Sequence, residues 1–66
     1  MLIIVNGKDK HVEDNTLLGG LISALELNPE HVVAAVNDQI VMPPDYSSTP
    51  LRENDRVDMM TFVGGG

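Results

Sequence analysis

The chain has no cysteine and no tryptophan, one tyrosine, one phenylalanine and only four basic residues. Without cysteine there is no disulfide framework, no thiolate metal site and no thiol nucleophile, so any sulfur chemistry must use another group. The four cations, Lys8, Lys10, Arg52 and Arg56, stand against ten acidic residues and leave a formal charge of −6, which repels phosphate backbones and anionic lipid. Nucleic acid and membrane surfaces are therefore poor partners. No long hydrophobic run exists either: the apolar start Met1 to Val5 stops at Asn6, Gly7 and Lys8. It falls far short of a signal-peptide core or the ~20 residues of a membrane helix. These absences lead us to expect a complete, cytoplasmic chain.

What is present is enough for one small domain. With 42% hydrophobic and 21% charged residues in 66, the chain carries the apolar content of a globular fold. At this size only about 60% of the unfolded surface becomes buried, which leaves no room for an enclosed enzyme pocket.

Periodicity predicts two strands, a helix and a second set of strands. Leu2 to Val5 is a short branched apolar run, Asn6-Gly7 is a tight-turn pair, and Lys8 to Glu13 reads as the returning strand. Asp14, Asn15 and Thr16 offer acceptors for a helix start. Leu17, Leu18, Leu21, Ile22 and Leu25 follow with helical spacing, and Asn28-Pro29 is expected to end the helix. Gly19 and Gly20 each cost roughly 1 kcal/mol there, which points to a loose first turn or a close approach of neighbouring chain. Val32 to Val36, a turn at Asn37-Asp38, and Ile40-Val41 form a second predicted hairpin. Met42-Pro43-Pro44 cannot continue a central strand, so an irregular crossing around Tyr46 is expected, anchored by Leu51. After the turn Glu53-Asn54-Asp55, Arg56 to Val63 alternates as the last strand. Met60 and Phe62 then lie on the face opposite Val57, Met59 and Thr61. A single helix covers only one face, so one set, either Met60 with Phe62 or Val57 with Met59 and Thr61, should be partly exposed as a docking surface for a partner, and the sequence alone does not say which.

The sharpest feature is Gly64-Gly65-Gly66. Three residues without side chains make a narrow thread, and four residues from Val63 reach at most ~14 Å, enough to carry a terminal carboxylate into a partner's active site. A terminal carboxylate is ionised at neutral pH and is a poor electrophile until activated, which implies nucleotide chemistry on a partner. The plain alternative is a frayed end. Against it, the glycines directly follow a predicted strand, with no polar spacer between.

Nothing else in the chain forms a recognised reactive group. His11 and His31 show no metal-ligand spacing, Ser47, Ser48 and Thr49 have no adjacent histidine, and Gly19-Gly20 lacks the lysine of a phosphate loop. We therefore assign no catalytic side chain, no metal site and no cofactor to this chain.

Ile4-Val5-Asn6-Gly7, Val36-Asn37, Ile40-Val41, Asn54-Asp55-Arg56-Val57 and above all Phe62-Val63-Gly64-Gly65-Gly66 resemble the ThiS family of ubiquitin-like sulfur carriers from end to end. The resemblance implies an α+β, β-grasp fold: a mixed four- or five-stranded sheet with one main helix on one face. Residues 1–63 would form the domain and 64–66 a flexible tail. It also implies that a ThiF-like adenylyltransferase activates the Gly66 carboxylate with ATP and that a persulfide donor supplies sulfur. A ThiG-like thiazole synthase would then take that sulfur from a thiocarboxylate. Gly64 and Gly65 would thread the tail, Phe62 and Val63, with Met60, would dock its base on the partner, and the free chain would be a monomer. Two departures accompany the resemblance. Met42-Pro43-Pro44 stands where many relatives have a single proline beside a basic residue, and Asn54 replaces a frequent turn glycine. Carriers for another pathway (molybdopterin, cysteine or tRNA thiolation) and a ubiquitin-like modifier, which would share an activated Gly66, stay open, as does a binding module with an inert tail.

Overall fold

The structure is a computed structural model that describes residues 1–62. Two hairpins supply four strands. Strands β1 (Leu2–Val5) and β2 (Lys8–His11) are joined at Asn6 and Gly7, whose φ values of 49° and 81° give the twist a two-residue hairpin needs. Strands β3 (Val32–Val36) and β4 (Gln39–Val41) are joined the same way at Asn37 and Asp38, with φ of 51° and 71°. The last strand, β5 (Arg56–Thr61), pairs parallel with β1 and antiparallel with β3, completing a five-stranded sheet in the order β2-β1-β5-β3-β4. The ladder of β2 ends at His11, two residues short of the expected Glu13, although the Val12 N–H still donates to Met1 O.

One helix, α1 (Leu18–Ala24), lies across one face of this sheet. Leu18, Leu21 and Ile22 are fully buried against Ile3, Val32, Ala34 and Val57, and Leu25 packs at the margin. Three expectations about the helix need correction. Leu17 is 40% exposed and faces away from the core. It is the N-cap residue, in extended conformation, and no side-chain cap is formed: Thr16 Oγ1 donates to Glu13 O instead of capping α1. The Leu18 N–H donates to Thr49 O, so a segment remote in sequence satisfies the helix start. The helix also ends earlier than Asn28-Pro29. Glu26 takes φ 59° just beyond the C-cap Leu25, and Asn28 instead caps a short 3₁₀ turn, Pro29–His31, by accepting from the Glu30 N–H.

The crossing after β4 is ordered, not irregular. Pro43–Ser48 forms a 3₁₀ helix that carries Tyr46 into the core, where the hydroxyl donates to Val32 O at 2.7 Å. Leu51 anchors the far end, as expected, and is also buried. Gly19 accounts for the close approach of this segment: a Cβ there would stand 3.2 Å from the Tyr46 carbonyl carbon and oxygen. No helix among the described residues is long and apolar enough to cross a membrane.

Candidate functional site

Strand β5 settles which face is covered. Val57 is buried under α1 and Met59 packs against the core, whereas Met60 is 71% and Phe62 50% exposed on the open side. Register groups the apolar residues of that side. Met60 pairs with Val33, itself exposed, and Ala35 pairs with Ile40, which is 69% exposed. Met42 lies two residues past Ile40 in still-extended backbone, which keeps it on the same side, and it too is exposed. The result is an apolar strip of Ile40, Met42, Val33, Met60 and Phe62 running to the end of β5. The sequence pattern did not single out Ile40, Met42 and Val33. Their alternation within the second hairpin was visible, but which face lacked a helix was not.

The two turn asparagines hold β5 in place. Asn6 donates its N–H to Val57 O and accepts the Met59 N–H on its Oδ1 at 2.7 Å, so a side chain extends the short parallel ladder between β1 and β5. Asn37 does the same from the other neighbour: its N–H donates to Arg56 O, its Oδ1 accepts the Arg56 N–H at 2.9 Å, and its Nδ2 donates to Asp55 Oδ1. The Arg56 guanidinium bridges Asp38 of that turn and Asp58 of β5 itself. At the other end of β5 the Phe62 N–H donates to His31 O, and the two rings sit 6.2 Å apart and tilted by 49°. The strand is thus clamped at its start, its middle and its last described residue. Val63, Gly64, Gly65 and Gly66, assigned above to docking, threading and sulfur carriage, lie outside the described residues.

His11 and His31 are exposed and stand on separate elements, and no group of three or more His, Cys, Asp or Glu side chains among the described residues could hold a metal ion. An open groove of about 640 Å³ between β2 and α1 is lined by Lys10, His11, Glu13, Asp14, Thr16 and Ser47 beside Leu17 and Gly20. No hydrogen bond joins one of these polar side chains to another: Thr16 Oγ1 donates to the Glu13 backbone carbonyl, and Asp14 pairs with the Met1 ammonium.

A mixed five-stranded sheet grasping one main helix, with its central strand β5 beside an uncovered apolar face, defines a β-grasp domain. The profile of the ThiS family matches residues 3–66, and the chain belongs to that family. A solved structure of the thiamine biosynthesis protein ThiS from Geobacter metallireducens superposes with a TM-score of 0.84 at 29% identity over all of both chains. The chain is 35% identical over 66 residues to a thiazole synthase of Magnetococcus marinus, covering all of this chain and 20% of that protein. It is also 31% identical over 64 residues to the uncharacterized protein ycf40 of Pyropia yezoensis, covering 97% of this chain and 90% of that one. The chain therefore spans only about a fifth of the thiazole synthases it matches.

Proposed function

We propose that this chain carries sulfur for thiazole formation as a thiocarboxylate on Gly66, working with Gly66 as its free C-terminus. The observation that carries the reading is the family match through residue 66, on a chain whose central strand leads into Gly64-Gly65-Gly66. The chain itself supplies position, not catalysis. Its open strip, with Met60 and Phe62 at its end and Val63 next in sequence, docks on a ThiF-like adenylyltransferase, while Gly64 and Gly65 pass through a channel too narrow for side chains.

There a Gly66 carboxylate oxygen attacks the α-phosphorus of ATP and pyrophosphate leaves. The terminal sulfur of a persulfide then attacks the acyl carbon and AMP leaves. A thiol cleaves the resulting acyl disulfide, taking the outer sulfur into a new disulfide and releasing the thiocarboxylate. On a ThiG-like thiazole synthase the thiocarboxylate sulfur attacks a substrate carbonyl carbon, and the oxygen of that carbonyl passes to the Gly66 acyl carbon as the C–S bond to Gly66 breaks, which returns the carboxylate. Similarity to two thiazole synthases supports that acceptor. On this reading ATP binds only the partner enzyme, and the chain is a cosubstrate that docks as a monomer.

Truncation tests the division of labour. A chain ending at Gly64 should fold, as read by circular dichroism, and bind the adenylyltransferase with little change, yet release no pyrophosphate-coupled product. Equal sulfur transfer by intact and truncated chains would end the carrier reading.

A further inference from the structure

The four methionines divide into two classes by position. Met42 and Met60 are 61% and 71% exposed on the open face, whereas Met1 and Met59 pack against the core. Met60 stands directly opposite Val33, and carrying the β3–β4 register one residue on brings Met42 to the other side of Val33. Two thioethers thus flank one apolar side chain in the middle of the strip. With no cysteine in the chain, these are its most accessible oxidisable sulfur atoms among the described residues.

We propose that Met42 and Met60 form a paired sulfoxidation site that switches the open face from apolar to polar. The oxidant is a hydroperoxide. A sulfur lone pair attacks the terminal peroxide oxygen, the O–O bond breaks, and the proton passes to the leaving oxygen, giving sulfoxide plus water or an alcohol. A thiol-driven methionine sulfoxide reductase reverses the step. The sulfoxide dipole has no partner in an apolar contact, so desolvating it opposes binding. Leucine would give the same apolar area without this chemistry. Methionine in both places leaves the strip adaptable to more than one partner surface and makes it sensitive to peroxide. The loss of binding rests on the docking role proposed above; the selectivity of oxidation does not.

Limited peroxide treatment of the folded chain, followed by peptide mapping, reads the first part. Met42 and Met60 should gain ~16 Da each about tenfold faster than Met59. Titration of native and oxidised chains against the adenylyltransferase reads the second: Kd should rise about tenfold, with kcat at saturation unchanged and binding restored by the reductase. In the double variant Met42→Leu, Met60→Leu, whatever its starting Kd, peroxide treatment should produce no further change in binding. Equal oxidation of all four methionines, or undiminished binding after both exposed ones are oxidised, would overturn the inference. An untreated chain that never binds the enzyme would instead remove the docking and carrier readings, and the switch with them.

Discussion

Replacing Gly19 and Gly20 by alanine, one at a time, should move stability in opposite directions. Both lie in the first turn of α1, so helix propensity alone favours alanine at each by up to about 1 kcal/mol. Their surroundings differ. A Cβ on Gly20 would meet nothing closer than Thr16 Cγ2 at 3.9 Å, an ordinary contact. A Cβ on Gly19 would stand 3.2 Å from the Tyr46 carbonyl carbon and oxygen and 3.3 Å from Ser47 Cα, all backbone. That backbone has little freedom to retreat, because the Tyr46 side chain is buried with its hydroxyl on Val32 O and the Leu18 N–H is tied to Thr49 O. Overpacking of this kind costs about 1–3 kcal/mol. Set against the propensity gain, Gly19→Ala should lose about 1 kcal/mol, while Gly20→Ala should gain about 0.5–1 kcal/mol. With a urea slope of about 1 kcal/mol/M, the first midpoint falls by about 1 M and the second rises by at least about 0.5 M. Urea titrations followed by circular dichroism measure both. A Gly19→Ala midpoint that rises as far as that of Gly20→Ala would refute the argument that α1 and the 3₁₀ segment are packed backbone to side-chain-free backbone.

Tyr46→Phe should destabilise the domain by about 1–2 kcal/mol, since the Val32 carbonyl loses a buried donor at 2.7 Å, without changing activation of the tail; urea unfolding beside an adenylation assay checks both halves. Asn6→Gly keeps the positive φ but deletes the acceptor for the Met59 N–H, so it should cost about 1 kcal/mol and speed amide exchange at Met59; unchanged exchange would show that the turn alone holds β5. Met60→Glu should leave the stability within about 0.5 kcal/mol of native, because the side chain is 71% exposed. It should weaken adenylyltransferase binding about tenfold, measured by titration, if the open strip is the docking face.

The parts of this fold that were legible in the sequence are those whose cause is local. Asn6-Gly7 and Asn37-Asp38 announce hairpins because a two-residue turn demands positive φ, and both appear where expected. Asn54 likewise takes φ 70° in place of a glycine. The ends of α1 were misread because their causes lie elsewhere: its first N–H is satisfied by Thr49, 31 residues from Leu18, and its end falls at Glu26 in a left-handed conformation that no glycine advertises. The Pro43–Ser48 helix was hidden for a related reason, since prolines exclude a strand without saying that Tyr46 will be buried. Of the site, alternation along β5 placed Met60 and Phe62 on one face, but only the position of α1 decides that this face is the uncovered one. The second role of Asn6 and Asn37, as clamps on β5, depends on a strand order that local pattern does not carry.

The central claim, sulfur carriage on Gly66, is tested most directly by intact mass spectrometry after incubation with ATP, a persulfide donor, a reducing thiol and a ThiF-like enzyme. The account predicts a gain of ~16 Da that tandem fragmentation places on Gly66, distinct from oxygen on any methionine, and that disappears when ATP is left out. A tail that stays unmodified beside an enzyme demonstrably active on another carrier would contradict it.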